Sequence, residues 1–171
     1  MAFIETLEDR MQHVAEKALE GLDREVQTEE VVRSCLMDII SMASGINKMA
    51  RALARAKTAT SSEKTVDGIK TNLLHTLDSV LLCAHVSGVD LPDTEELMET
   101  IAGFSDEIQT DIILASSVAN RGACDALIHY FEDEAEVSEE FIMGLGEALC
   151  AVAIICNRIG IEFDSLIHEK V

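Results

Sequence analysis

Apolar residues recur every three or four positions through most of this chain, a spacing that predicts amphipathic helices. A first helix is predicted over about residues 3–24, with one apolar stripe opposite a charged side. The stripe consists of Ile4, Leu7, Met11, Val14, Ala18 and Leu22. It must pack either against the chain's own bundle or against a second chain. We expect a homodimer, because an exposed apolar stripe on a protein usually marks an interface.

The remainder of the chain predicts two helical hairpins, each made of a long helix, a polar loop and a very apolar helix. The first has helices at about 29–56 and 66–88 with a loop at 57–65, and the second has helices at about 105–131 and 138–160 with a loop at 132–137. Asp93 and Ser138 are suitable N-terminal caps, and Asp93 begins a short helix between the hairpins. Gly88 and Gly160 are suitable helix stops.

The two hairpins also match each other in sequence. Asp38-Ile39-Ile40 recurs as Asp111-Ile112-Ile113, and Asn47-Lys48 recurs as Asn120-Arg121. Matched polar residues and matched glycine stops at nearly constant spacing favour a duplicated unit. The fold class expected is therefore all-α, with tandem helical hairpins forming a four-helix-bundle core and an extra N-terminal helix. Residues 1–28 form that helix, 29–92 the first repeat, and 93–171 a linker helix with the second repeat. The apolar helices at 66–88 and 138–160 are expected to be the most buried and to pack against each other.

The formal net charge of −19 restricts the partners. Broad attraction to nucleic acid or to an anionic membrane needs a net positive surface, so both are excluded as general partners. The longest apolar stretch, residues 141–156, contains Glu147 and is too short to span a bilayer. An acidic chain can also imitate the charge of DNA and block a DNA-binding protein, which leaves an inhibitory role open.

The cysteines indicate a reducing compartment. There are five, an odd number, and none forms a C-x-x-C pair, so the sequence predicts neither a disulfide framework nor a zinc knuckle. They are expected to be small buried apolar residues. The first residues have no basic region before an apolar run, as a secretory signal would. We expect a cytoplasmic protein.

Residues 144–149, continued by residues 156–161, carry a resemblance to a known family. In these segments Glu147 lies between small and apolar residues, and Gly160-Ile161 ends the helix. The pattern resembles the metal-binding helix and the glycine stop of the all-α NTP pyrophosphatase (MazG-like) superfamily, which includes phosphoribosyl-ATP pyrophosphatases. The resemblance covers roughly residues 31–171, twice over, mostly in apolar periodicity and helix stops. It implies Mg²⁺-dependent release of pyrophosphate from nucleotides.

The family's chemistry rests on E-x-x-E in the first helix of the hairpin and E-x-x-D in the second. The matching positions are Asp38, Ser41, Asn72 and His75 in the first repeat, and Asp111, Leu114, Gly144 and Glu147 in the second. A shifted alignment uses His75-x-x-Asp78 and Glu147-x-x-Cys150 instead. The resemblance thus implies Glu147, Asp111 and Asp38 as catalytic residues, and the same three with Asp78 as Mg²⁺ ligands. Since neither repeat keeps a complete set of carboxylates, little or no catalysis is expected.

A basic stripe stands apart from these acidic positions. Lys48, Arg51 and Arg55 follow one another at helical spacing beside the degenerate motif of the first repeat. They form either a solvated face or a contact for a phosphate or another anion. We therefore predict a diverged MazG-like protein that binds a nucleotide or a protein partner. The alternatives are a Mg²⁺-dependent nucleoside triphosphate pyrophosphohydrolase with a rearranged site, and an acidic interaction or inhibitor protein.

Overall fold

The all-α prediction is confirmed by a computed structural model, which describes residues 4–22 and 28–171. Within these residues the chain forms eight helices and no strand. They are α1 Leu7–Leu19, α2 Thr28–Ala54, α3 Ala59–Ser87, α4 Thr94–Ala102, α5 Asp106–Thr110, α6 Ile112–Glu132, α7 Glu139–Arg158 and α8 Phe163–Ile167. No helix in the described part of the chain is both long enough and apolar enough to cross a membrane.

Local capping chemistry fixes most of the helix ends. Asp93 forms a capping box with Glu96 at the start of α4, and the Ser138 side chain accepts a hydrogen bond from the first turn of α7. Gly88 and Gly160 end α3 and α7 with φ of 71° and 78°. These left-handed conformations suit glycine because it has no Cβ. The predicted caps and stops are thus confirmed.

Three predicted helix boundaries are wrong. The helix predicted over residues 3–24 is only Leu7–Leu19, and residues 3, 23 and 24 lie outside the described residues. The predicted loop at 57–65 is mostly helical, because Thr58 caps α3 by accepting from the backbone N–H of Ser61. The predicted helix from Ser105 is interrupted at Asp111, whose side chain caps α6.

The two hairpins, α2–α3 and α6–α7, meet mainly through α2 and α6. The apolar helices α3 and α7 pack against each other, as the sequence predicted, but the contact between α2 and α6 is more extensive. Small residues explain the difference, because Ala43 on α2 and Ala119 on α6 are buried together and let the helices approach closely.

A pair of exchanged hydrogen bonds gives this contact an approximate twofold symmetry. The Asn47 side-chain amide donates to the carbonyl of Ile113, and the Asn120 amide donates to the carbonyl of Ile40, both at 3.4 Å. Residues 40 and 47 of the first hairpin correspond to residues 113 and 120 of the second, 73 positions later. Each bond is therefore the counterpart of the other. The helix stops match as well, since the N–H of Val89 and of Ile161 each donate 2.9 Å hydrogen bonds five residues back. The structure therefore supports the sequence repeat.

Helix α1 covers the chain's own bundle. It packs along α3, and Leu7 and Val14 of its apolar stripe are buried there. Met11 is half-buried against the same core, whereas Ala18 and Leu22 are exposed. The stripe is therefore largely used within one chain, and it no longer supplies a reason for a dimer.

Candidate functional site

Asp38 and Asp78 are the two predicted metal ligands that the structure brings to one groove. The groove lies between α1, α2 and α3, and Ser34 and Cys35 also line it. Burial raises the pKa of the Cys35 thiol to about 12, and the nearby Asp38 carboxylate adds to this shift. The thiol therefore stays protonated at neutral pH and is a poor metal ligand.

A buried arginine already neutralises Asp78. The Nε of Arg10 donates to the Asp78 carboxylate at 2.7 Å, and its Nη1 donates to the carbonyls of Ile167 and Glu169 at 3.0 Å and 2.6 Å. Arg10 is 1% exposed, while Asp78 keeps 28% exposure. The guanidinium thus already supplies a positive charge to one oxygen of this carboxylate. It also ties α1 to α3 and to the C-terminal segment.

Sequence reasoning missed Arg10, although a signal was present. The residue lies three positions after Leu7 and four before Val14, which places it on the apolar stripe of α1 rather than on the charged side. A charged side chain within an apolar stripe needs a buried partner. Its position could have indicated a buried ion pair, but not the identity of the partner.

Glu147 is neutralised by a second arginine. Arg121 on α6 donates to both carboxylate oxygens of Glu147 on α7, at 3.2 Å and 3.4 Å. One turn further along α7, burial raises the pKa of the Cys150 thiol to about 11, and Glu147 adds to this shift. The pair Glu147-x-x-Cys150 therefore offers a carboxylate bound to an arginine and a protonated thiol, not two free ligands.

Asp111 lies far from the groove and is the N-cap of α6. Its carboxylate accepts hydrogen bonds from the backbone N–H groups of Ile113, at 2.8 Å, and Leu114, at 3.4 Å. Helices α2 and α6 run antiparallel, and Asn47 of α2 lies opposite Ile113 of α6. Asp111 therefore lies at the end of the contact near Asn47. Asp38 lies at the opposite end, beyond Ile40, which is bonded to Asn120. The two carboxylates are therefore more than roughly 10 Å apart, the rise of seven helical residues.

The structure therefore does not bring the four implied Mg²⁺ ligands, Asp38, Asp111, Glu147 and Asp78, to one place. The structure pairs Asp38 with Asp78 in one groove and leaves the other two elsewhere. Among residues 4–22 and 28–171, no group of three or more His, Cys, Asp and Glu side chains is arranged to hold a metal ion. The physical reason is the register of the helices, which brings Asp78 rather than Asn72 opposite Asp38.

The basic stripe of α2 consists of Lys48, Arg51 and Arg55, and all three side chains are exposed. None of them has a hydrogen bond or an ion pair with a described residue. Five of the chain's thirteen Lys and Arg residues lie between residues 48 and 64, where Glu63 is the single acidic residue. This end of the first hairpin therefore offers unpaired positive charge in an otherwise acidic chain.

The sequence match assigns counterparts in the first hairpin to the two residues of the Arg121–Glu147 pair. Lys48 corresponds to Arg121 and His75 corresponds to Glu147, as the sequence match predicted. In the second hairpin the two positions form an ion pair. In the first hairpin both residues are bases and both are exposed, so they have no reason to pair. His75 lines a groove with Arg10, Lys17 and Lys170, whereas Met49, next to Lys48, lies against Gly68.

Comparison of the chain with family models, with curated proteins and with solved structures finds no match.

Proposed function

We propose that this chain is a diverged MazG-like protein that binds an anionic ligand, foremost a nucleotide, on the basic stripe of α2, with little or no catalysis. One observation carries the proposal. Two of the four implied metal ligands, Asp78 and Glu147, are bound by arginines, whereas Lys48, Arg51 and Arg55 have no partner among the described residues.

The charges favour recognition of phosphate over hydrolysis. A metal ion at Asp78 would compete with Arg10, which donates to one oxygen of this carboxylate and also bonds two backbone carbonyls. Lys and Arg side chains one turn apart can surround a phosphate with charge-assisted hydrogen bonds. Because the rest of the chain is acidic, this attraction is local and falls with added salt.

The proposal includes the cellular setting. All five cysteines are free thiols, which fits a reducing cytoplasm. The other ligand that the basic stripe could bind is an anionic segment of a partner protein. A homodimer remains part of the proposal, but α1 is used within the chain, so the dimer would need another surface.

Titration of ATP and of inorganic triphosphate by calorimetry tests the proposal. The variant Lys48→Gln/Arg51→Gln/Arg55→Gln should bind both at least tenfold more weakly than the natural chain. A matched control, Lys17→Gln/Arg158→Gln/Lys170→Gln, removes the same charge from other exposed positions and should change affinity by less than twofold. Equal losses in the two variants, or no binding of either ligand at millimolar concentration, would contradict a specific basic site.

The second candidate is a Mg²⁺-dependent nucleoside triphosphate pyrophosphohydrolase with a rearranged site. It is favoured by the shared groove of Asp38 and Asp78. Substrate phosphate oxygens would have to complete the metal shell, because two carboxylates are too few ligands. Pyrophosphate release with Mg²⁺ or Mn²⁺ that is lost in Asp38→Asn and kept in Glu147→Gln would favour this candidate.

A further inference from the structure

The outer surface of the second hairpin carries apolar residues in line with acidic ones. On α6, Leu114, Arg121 and Ile128 follow one another every seven residues and therefore lie on one side of the helix. On α7, Met143 lies one turn before Glu147. The Arg121–Glu147 ion pair joins these two lines into one surface. We call it the acidic apolar face, made of Leu114, Asp125, Ile128, Glu132, Glu140 and Met143.

The apolar members of this face are unusually exposed. Met143 is 65% exposed, Ile128 53% and Leu114 41%. A single exposed apolar side chain is ordinary, but several on one surface mark a site of interaction. Apart from Arg121, which is paired with Glu147, the charged residues of this face are acidic, and the chain has no Lys or Arg between residues 122 and 157. The face therefore combines apolar contact area with uncompensated negative charge.

The first hairpin indicates that folding does not require these exposed side chains. At the equivalent positions it has Ser41, Arg55 and Thr71 in place of Leu114, Ile128 and Met143. All three are polar and exposed, and the hairpin still forms. The apolar residues of the second hairpin are thus free to serve a contact.

We propose that the acidic apolar face docks a basic amphipathic helix of a partner protein. The partner's apolar side chains would cover Leu114, Ile128 and Met143, and its Lys and Arg side chains would meet Asp125, Glu132 and Glu140. From Leu114 to Ile128 the face is about 21 Å long, which matches a partner helix of about four turns.

A second copy of this chain fits the face less well. It would bring another net charge of −19. Its basic stripe, at Lys48, Arg51 and Arg55, contains no large apolar side chain of its own, and none between residues 38 and 97 of the described chain is exposed. A partner helix of positive charge satisfies both the apolar and the acidic part of the face.

Fluorescence anisotropy with a synthetic 18-residue peptide of Lys and Leu tests the proposal. In one peptide the leucines follow helical spacing, and in the other the same residues are ordered so that no helix face is apolar. The natural chain should bind the amphipathic peptide at least tenfold more tightly than the reordered one. Ile128→Ser/Met143→Ser should remove most of this preference. The matched control Met37→Ser/Met98→Ser changes two exposed apolar residues elsewhere and should retain the preference.

Circular dichroism first establishes that both variants keep the helicity of the natural chain. Equal binding of the two peptides would overturn the proposal, because it would reduce the interaction to charge alone. An equal loss in the control variant would overturn it as well. If the natural chain self-associates in sedimentation experiments and Ile128→Ser/Met143→Ser abolishes this, the face belongs to a second copy and the partner helix is wrong.

Discussion

Arg10 is the residue on which the attachment of α1 depends. Replacing it with Met leaves the Asp78 carboxylate and the carbonyls of Ile167 and Glu169 without their donor. Since Asp78 is partly solvated, we expect a loss of about 2–4 kcal/mol in the free energy of unfolding. Urea denaturation measures this loss. Lys17→Met, on an exposed position of the same helix, should change the free energy by less than about 0.5 kcal/mol.

Arg10→Lys separates charge from geometry. A lysine keeps the positive charge beside Asp78, but its single ammonium group cannot also reach both carbonyls in the planar arrangement of a guanidinium. We expect a smaller loss than for Arg10→Met. If Lys and Met destabilise the chain equally, the ion pair contributes nothing, and the two backbone hydrogen bonds account for the role of Arg10.

Single residues show where sequence reasoning stops. Asp38 and Glu147 were singled out by their resemblance to a motif, but their partners depend on helix register and on α1. No spacing along the chain links Arg10 to Asp78, which is 68 residues away. Likewise, Asp111 matches a metal-ligand position and also suits a helix cap. The hydrogen bonds that Asp111 accepts from the backbone N–H groups of Ile113 and Leu114 show that it is a helix cap, which the sequence alone did not establish.

The close approach of α6 and α7 depends on two glycines. A Cβ on Gly122 or Gly144 would press against the carbonyl oxygen of the other residue. We expect Gly122→Ala and Gly144→Ala to lower the free energy of unfolding by about 1–3 kcal/mol, because the helices must separate. Gly146→Ala is the matched control on α7, since nothing lies within 4 Å of its added methyl group. That variant should be about 0.5–1 kcal/mol more stable, as Ala favours a helix over Gly.

Thermal or urea unfolding of the three variants gives the comparison directly. The prediction fails if Gly122→Ala and Gly146→Ala have effects of the same sign. Loss of the Arg121–Glu147 contact should accompany the separation of the helices, because Glu147 borders the space that the Gly122 methyl group would enter.

At the level of elements, the sequence predicted helix ends that depend on a few neighbouring residues. It did not predict helix ends at residues that suit both a loop and a helix cap. The stops at Gly88 and Gly160 and the caps at Asp93 and Ser138 depend on a few neighbouring residues, and all four are confirmed. Thr58 and its Ser and Thr neighbours are equally typical of a loop and of a capped first turn. Hence the start of α3 was misplaced.

For the molecule as a whole, the repeat predicted the number of hairpins but not the helices through which they meet. Apolar content alone favoured α3 against α7. The chain instead places small residues of α2 and α6 at the main contact, and Asn47 and Asn120 bond across it. How closely two helices can approach depends on the shapes of both surfaces, which a pattern along one chain does not contain.

The position of α1 leads to a prediction about assembly. Leu7→Asp/Met11→Asp introduces carboxylates where α1 packs on its own α3, and Leu7 is buried there. Burial of a charge without a partner costs several kcal/mol, so the whole chain should be destabilised by more than about 2 kcal/mol. The sedimentation behaviour of the remaining folded molecules should equal that of the natural chain. Gln12→Asp/Lys17→Asp, on the exposed side of α1, is the control and should lower stability by less than about 1 kcal/mol. A folded monomer obtained from a natural dimer only with the Leu7 variant would show that α1 joins two chains.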